Sequence, residues 1–429
     1  MTEVILALLA ILGITAAACI FSKNDGTFAA PFALLACVIG SLAAGMGFGI
    51  RQTIEGMFGY FDLVMAVLCA MIFVTILSEN GALDYLFGKI VGKKRSAVLQ
   101  TYLLLLFVML PGIFTGTAAA GVTLVGGLAA RYLTERGVDK EKAAGFVLAG
   151  ALLGMLCPPI SLVSAIAVQA FSFFGVFTGY ALILLIIVAP AFIVYGISSS
   201  SKLKGFEPVK SETAGGFKCV IPLLVVVVLL ILHEFFPGHT PFLGYPLIYA
   251  IGAVLAVLLG AKKFNILRAL EKALRITAPV AAIVFVTGSA MNVFTSTGVS
   301  GTLALYLGRT DYRIVGLGVL VCVLAGGVYI GGQFGAMLTA LGSYVMMNGF
   351  NSSGSVKMLG MSVALAVALA FPLRKGVLAE LDGSLDEVKG RSGKLAKEAV
   401  IPIVLVLVMG VIALIFSAKL DAFRLPFTF

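Results

Sequence analysis

Long apolar runs separated by short polar or basic segments are the dominant pattern along the chain. A run of about 20 apolar residues has the length of a membrane-spanning helix, since each residue adds 1.5 Å and the hydrocarbon core is ~30 Å thick. We therefore predict an all-α polytopic membrane protein. Ten runs are long enough to cross the bilayer, and they cover residues 2–21, 28–49, 57–77, 143–170, 173–197, 217–236, 240–261, 276–296, 355–373 and 398–418.

Two further apolar regions, 98–132 and 313–346, have a different pattern. Each consists of two pieces of about 16 residues on either side of a Gly-rich centre. Sixteen helical residues reach only ~24 Å, which is short of the hydrocarbon core. We interpret both regions as re-entrant hairpins with tips near the middle of the membrane. Two short complete spans in each region are the alternative.

The basic residues are unevenly distributed between the connecting segments. If the N-terminus is placed outside and the spans alternate, most of the 30 Lys and Arg residues fall in inside segments. Cytoplasmic segments of membrane proteins are enriched in these residues. We therefore predict a multi-pass protein of the bacterial inner (plasma) membrane with both termini outside. The first hairpin then opens from the cytoplasm and the second from the exterior.

The order of runs occurs twice along the chain. Residues 1–216 and 217–429 each contain three runs, an amphipathic linker, a hairpin and two more runs. Five spans is an odd number, so the second repeat would be inverted in the membrane relative to the first. Inverted repeats with discontinuous helices in matching positions are the architecture of secondary transporters. This repeat is the main functional signal in the sequence.

Composition excludes several other classes of function. Hydrophobic residues make up 60% of the chain and charged residues 12%, against roughly 25% charged in a soluble domain. A soluble enzyme and a nucleic-acid-binding protein are therefore excluded, and the net charge of +10 is explained by the cytoplasmic segments. Because no catalytic triad, zinc-binding or phosphate-binding motif occurs, we expect no enzymatic activity and no cofactor other than a coupling ion.

Glycines and prolines interrupt the apolar pattern at four places, where freed backbone groups could bind a cation or a substrate. The segments are FTGTAAAG at 114–121, GMLCPPISL at 154–162, YIGGQFGAMLTALGS at 329–343 and AFPLRKG at 370–376. Hydroxyl and carbonyl oxygens without carboxylates suit a monovalent cation better than Ca²⁺. We predict Na⁺ as the coupling ion, and the candidate ligands are Thr115, Gly116, Thr117, Cys157, Pro158, Gly331 and Gly332.

Polar side chains near the same breaks are candidates for binding a small organic anion. These residues are Thr117, Ser161, Ser164, Asn292, Gln333 and Arg374. Each has a simpler interpretation, because a Thr or Gly can merely form a turn and Arg374 can merely anchor its span at the cytoplasmic surface. Asp62 lies near the outer end of its span, where an interfacial position is favoured over a coupling site. The six cysteines are interpreted as small packing residues.

The first hairpin and the span after it resemble the large membrane subunit of TRAP transporters. The similar features are the tip Thr115-Gly116-Thr117, the linker Arg136-Gly137-Val138-Asp139 that leads to Ala143-Ala144, and the break from Gly154 to Ser161. The resemblance implies an elevator mechanism, sodium sites at hairpin tips and helix breaks, and carboxylate substrates. It also implies two partners, a small four-helix membrane subunit and a periplasmic substrate-binding protein.

The second half departs from the family pattern, since its break is only Phe371-Pro372-Leu373 and its tip is Gly331-Gly332-Gln333. A stand-alone carrier of the ion-transporter superfamily without a binding protein, and a non-transporting assembly subunit, are therefore the alternatives. A channel is less favoured than a carrier, because no span has a continuous polar stripe.

Overall fold

The computed structural model describes residues 2–22, 26–169, 180–200, 216–236, 243–350, 356–373 and 392–420. Within these ranges the secondary structure is entirely helical. Seven helices in the described ranges are long and apolar enough to cross a membrane, and five shorter apolar helices accompany them. These helices support the predicted polytopic membrane protein.

The first half consists of ten helices in the described residues. They are α1 (Thr2–Phe21), α2 (Gly26–Ala43), α3 (Ile50–Phe58), α4 (Phe61–Glu79), α5 (Ala82–Val91), α6 (Ala97–Thr115), α7 (Ala118–Thr134), α8 (Lys140–Leu156), α9 (Leu162–Gln169) and α10 (Ala181–Ser200). The middle of α7 is a π-helical segment, Gly121–Gly126. Helices α6 and α7 form the first hairpin, and α8 and α9 are the two parts of a broken span.

The second half begins with a short 3₁₀ turn, Phe217–Val220. Its helices are α11 (Ile221–Phe235), α12 (Gly244–Leu258), α13 (Ile266–Ser296), α14 (Val299–Leu307), α15 (Tyr312–Ile330), α16 (Gly332–Asn348), α17 (Val356–Ala370), α18 (Ser392–Ile415) and α19 (Ser417–Leu420). Helices α15 and α16 form the second hairpin. Helix α17 continues into a 3₁₀ turn, Phe371–Leu373.

Three predicted spans differ from the structure. The predicted span 28–49 ends at Ala43, because Gly45, Gly47 and Gly49 all have positive φ and turn the chain. The predicted span 57–77 is divided between α3 and α4. The predicted span 143–170 is interrupted between α8 and α9, at the proline pair that the sequence indicated as a break.

The arms of the hairpins are longer than the predicted 16 residues. Helices α6 and α15 each contain 19 residues, which corresponds to ~28 Å and is close to the thickness of the hydrocarbon core. Arm length alone therefore does not distinguish a hairpin from two complete spans. Asp62 lies in the first turn of α4 and is exposed, which agrees with an interfacial rather than a buried position.

Helix α13 is the longest helix in the described part of the chain, with 31 residues, and it starts ten residues before the predicted span 276–296. The extra turns carry charged residues, and Lys272 pairs with Glu79 at 2.7 Å. Near its other end α13 crosses α3 so closely that a Cβ on Gly288 would lie 2.3 Å from the carbonyl oxygen of Gly56. The two glycines thus permit direct backbone contact, and α13 forms a wall along α2, α3 and α4.

Candidate functional site

The tip of the first hairpin is a tight turn at Gly116, which has the left-handed φ of +67° that favours glycine. A Cβ at this position would lie 2.7 Å from the backbone nitrogen of Leu162 and 3.0 Å from the carbonyl oxygen of Ile160. The tip therefore packs directly against the backbone that joins α8 to α9. This contact brings together the first two of the four breaks predicted from the sequence.

Two threonine hydroxyls at this tip form a directional hydrogen-bond chain. The Oγ1 of Thr115 donates to the carbonyl oxygen of Pro111 at 2.8 Å, and it lies 3.1 Å from the Oγ1 of Thr117. A hydroxyl has one hydrogen, so Thr117 must be the donor in the second bond. The Thr117 oxygen then has only its lone pairs to offer to a further partner. The side chains of Thr115 and Thr117 are both buried.

Three serine hydroxyls form a second chain that joins the two halves of the molecule. The Oγ of Ser362 on α17 donates to the carbonyl oxygen of Leu359 at 2.7 Å. Ser164 donates to Ser362 at 3.1 Å, and Ser161 donates to Ser164 at 3.0 Å. Because the hydroxyl hydrogen of each serine is already used in a hydrogen bond, the Ser161 oxygen can act only as an acceptor towards a further partner. All three serines are fully buried.

A cavity of about 210 Å³ lies where the hairpin tips, the broken helices and α13 meet. It is lined by Thr117, Ala118 and Ala119 of the first tip and by Gly331, Gly332 and Gln333 of the second. Ala368, Leu369, Pro372 and Leu373 line it at the end of α17. The other lining residues are Cys19, Gly26, Ala29, Met155, Leu162, Ile276, Pro279, Val280 and Ile283.

The second tip is attached to α1 and α2. The Nε2 of Gln333 donates to the carbonyl oxygen of Gly26 at 2.6 Å, and its Oε1 lies 4.0 Å from the Sγ of Cys19. Both ends of the Gln333 amide are thus engaged within the protein, and the residue is only 1% exposed. Ile330 and Phe334 pack against the same part of α1 and α2.

The predicted site residues other than Asn292 fall into three groups. Four of them line the cavity, and these are Thr117, Gly331, Gly332 and Gln333. A second group is absent from the cavity lining but belongs to the first tip or to the break beside it, and it contains Thr115, Gly116, Cys157, Pro158, Ser161 and Ser164. Arg374 lies outside the described residues.

Asn292 is the predicted substrate ligand that the structure places elsewhere. Its Nδ2 donates to the carbonyl oxygen of Gln52 at 2.7 Å. The hydroxyl of neighbouring Ser289 donates to the backbone carbonyl oxygen of Thr53 at 2.8 Å. These bonds fasten α3 to α13, away from the cavity lining. The structure does not bring Asn292 into the cavity lining, and its assignment to the substrate site stays a prediction. An apolar helix pattern does not indicate which neighbour a polar side chain meets.

The sequence analysis missed three residues of the site. Cys19 was interpreted as a packing residue, but it lines the cavity beside Gln333. Gly26 provides the carbonyl group that holds the second tip, and Ser362 ends the serine chain. Ser362 could have been noticed as a hydroxyl within an apolar run, whereas no sequence signal distinguishes Gly26 from other glycines near helix ends.

No family model and no curated protein sequence matches the chain. Its structure is similar to that of the YdaH transporter of Alcanivorax borkumensis, with a TM-score of 0.56 and 13% identity over 85% of this chain and 87% of that one. It is also similar to Neisseria gonorrhoeae MtrF, from a class of antimetabolite efflux pumps, with a TM-score of 0.55 and 12% identity over 86% and 83%.

At this level of identity, the likeness shows a shared fold. The chain thus has the helical fold of two known membrane transporters over most of its length. These neighbours do not support the narrower resemblance to the TRAP large subunit. The TRAP-like motifs of the first hairpin therefore remain a sequence resemblance.

Proposed function

We propose that the chain is a cation-coupled secondary transporter of small organic anions. The observation that carries this proposal is the cavity where both hairpin tips and both proline-containing breaks meet. Broken helices that meet at one cavity are the arrangement by which secondary transporters bind ions and substrate. The shared fold with two transporters supports the same conclusion.

Sodium is the coupling ion that the residues of the first tip favour. The Thr117 and Ser161 oxygens present lone pairs, and the described residues that line the cavity include no carboxylate. Such neutral oxygens suit Na⁺, and the bound ion would neutralise negative charge on an anionic substrate. Thr115, Gly116, Thr117, Cys157 and Pro158 would contribute ligands at the first tip, and the carbonyl groups of Gly331 and Gly332 would contribute at the second.

The anionic character of the substrate rests on sequence. Arg374 follows directly after Leu373, which lines the cavity, and would draw an anion towards it. The TRAP-like motifs also imply carboxylate substrates, together with a small membrane subunit and a periplasmic binding protein as partners. A stand-alone carrier without these partners is the alternative within the same proposal.

An elevator mechanism is consistent with where the cavity lies. Helices α1, α2 and α13 form one side of it, while the hairpin tips and the broken helices form the other. Movement of the second group past the first would expose the cavity alternately to the two sides of the membrane. The inverted repeat predicted from the sequence would give the two end states related structures.

Transport is tested with purified protein in proteoliposomes. We expect uptake of a radiolabelled organic anion driven by an inward sodium gradient, and exchange of internal for external substrate without a gradient. Uptake that follows a proton gradient and ignores sodium would overturn the ion assignment. Flux without exchange would indicate a channel, and the absence of both binding and flux would indicate an assembly subunit.

The inverted topology has a separate test at two matching turns. Lys93 follows α5 and Arg309 follows α14, and both side chains are exposed. In a cysteine-free background, Lys93→Cys should react with an impermeant maleimide only from the cytoplasmic side. Arg309→Cys should react only from outside, and labelling of both from the same side would contradict the inverted repeat.

A further inference from the structure

The walls of the cavity are strongly apolar. Among its described lining residues, the only polar side chains are Cys19, Thr117 and Gln333, and none is charged. Gln333 is engaged with Gly26 and Cys19, so it offers little to a ligand. Most of the surface that a substrate would touch is therefore hydrocarbon, contributed by residues such as Val280, Ile283 and Leu369.

Thr117 is the polar side chain that remains for a ligand, and its chemistry is restricted. Its hydroxyl hydrogen bonds to Thr115, because the hydrogen of Thr115 is already bonded to Pro111. While these bonds are kept, the Thr117 oxygen can accept a hydrogen bond or coordinate a cation, and donation to a carboxylate would break its bond to Thr115. A carboxylate near this oxygen is therefore favoured when a cation lies between them.

From these two features we infer the substrate class, namely small amphipathic monocarboxylates. The inference rests on the proposed function. The carboxylate binds together with the coupling cation at Thr117, and an aliphatic or aromatic body fills the apolar cavity. A second carboxylate or the hydroxyls of a sugar acid would lie mostly against apolar side chains, which is unfavourable. Dicarboxylates and sugar acids should thus bind more weakly than monocarboxylates.

The cavity also limits the size of this apolar body. An apolar protein cavity of about 150 Å³ holds a benzene molecule, so a cavity of about 210 Å³ holds a somewhat larger body. A chain of about six to eight carbon and oxygen atoms would fill it. Each added methylene that enters the cavity should tighten binding about fourfold, which is the equivalent of ~0.8 kcal/mol per buried CH₂ group.

The experiment is a competition series with the full-length protein in proteoliposomes containing sodium. Unbranched monocarboxylates from acetate to decanoate are compared with succinate and gluconate as inhibitors of sodium-driven exchange. We expect inhibition to strengthen about fourfold per methylene, reach a maximum near a chain that fills the cavity, and then decline. Succinate and gluconate should inhibit at least tenfold more weakly than the best monocarboxylate.

A pair of matched variants tests whether this cavity sets the length limit. Ala119 lines the cavity and is partly exposed, so Ala119→Leu should shift the optimum to a chain shorter by about two carbons. Ala278→Leu is the control, because Ala278 is exposed on α13 and absent from the lining. If Ala119→Leu does not fold, the length profile of the unmodified protein still tests the inference.

Two results would overturn the substrate class and leave sodium-coupled transport standing. These are a flat length profile with sodium-driven exchange of succinate or gluconate, and an unchanged optimum in a folded Ala119→Leu protein. Absence of sodium-driven exchange with every compound would overturn the proposed function as well.

Discussion

The two hairpin tips have the same position in their halves of the chain but different chemistry. The first tip is rich in hydroxyls and packs through Gly116 against the backbone of the neighbouring break. The second consists of Gly331, Gly332 and Gln333, and its polar side chain is attached to Gly26 of α2. The break beside the second tip, Phe371–Leu373, contains no hydroxyl.

This difference indicates a division of labour between the tips. The first has oxygen atoms with unused lone pairs, which is what a cation requires. The second contributes mostly apolar wall and a hydrogen bond to the neighbouring helices, so its contribution to ion binding is limited to backbone carbonyl groups. Single substitutions at the two tips and at the bonds around them should therefore have unequal effects.

Replacement of the tip glycines should separate the two tips most clearly. Gly116→Ala introduces a Cβ at left-handed φ, which costs about 1–2 kcal/mol, and directs it at backbone atoms that cannot move easily. We expect loss of transport and a lower melting temperature in detergent. A Cβ in Gly332→Ala would meet the flexible ends of two side chains, Leu369 at 2.6 Å and Ile283 at 3.3 Å, so this variant should retain most activity. Equal effects of the two variants would contradict the asymmetry.

Removal of threonine hydroxyls should weaken sodium binding at the first tip alone. Thr115→Val and Thr117→Val preserve the shape of the side chain and delete one oxygen. The loss of one such ligand should reduce the free energy of sodium binding by ~1–3 kcal/mol, as for a buried polar group left without a partner. The sodium concentration for half-maximal uptake should rise roughly ten- to hundredfold. Thr339→Val is the matched control, because Thr339 is buried in the second hairpin and donates to Gly335 in the same manner. Unchanged sodium dependence in both tip variants would show that the tip is merely a turn.

Disruption of the serine chain should have a smaller effect. Ser362→Ala removes the oxygen to which Ser164 donates, and this hydrogen bond contributes about 1 kcal/mol. Ser164 is then free to donate to Ser161 instead, so Ser161 no longer has to act as an acceptor alone. Sodium affinity, measured by uptake, should fall about fivefold. Ser343→Ala is the control, since its buried hydroxyl has only a 4.0 Å contact with Met361 sulfur. An equal change in the control would show that Ser362 has no specific role.

Release of the second tip should change access to the cavity more than ion affinity. Gln333→Leu removes the bond to Gly26, and the neighbouring Cys19 thiol should react several times faster with a maleimide in a single-cysteine background. Asn292→Leu is the control, because it also loses one buried amide bond but at the α3 contact. If both variants leave Cys19 equally protected, the tip is held in place by packing alone.

Much of the fold could be predicted from hydropathy and from glycine and proline positions. Apolar runs indicated most of the spans, and the Gly-rich centres indicated both tips within one or two residues. These signals succeed because a helix in lipid must be apolar, and because a break requires residues that permit it. The turn after Ala43 and the separation of α3 from α4 were missed, since glycines within an otherwise apolar run do not by themselves show where a helix ends.

The site was predicted less completely than the fold, because it depends on tertiary contacts between distant parts of the sequence. Periodicity shows that Asn292, Gln333 and Cys19 lie on helices but does not show what each one faces. Gln333 forms a hydrogen bond with α2, and Asn292 forms one with the first turn of α3. In both cases the two residues are more than 200 positions apart in the sequence. Such pairings depend on how whole helices pack, which local sequence does not encode.

The serine chain through Ser161, Ser164 and Ser362 has a consequence for how the molecule assembles. Apolar helices in a bilayer can slide or rotate against each other with little change in free energy, because lipid and leucine are equally apolar. The bond from Ser164 to Ser362 joins α9 to α17 between fully buried hydroxyls, and a shift of one residue between the two helices would leave the Ser164 hydrogen without its acceptor. This serine chain thus favours one docking of the late-synthesised half onto the early one, and it does so through specificity of folding rather than strength of binding.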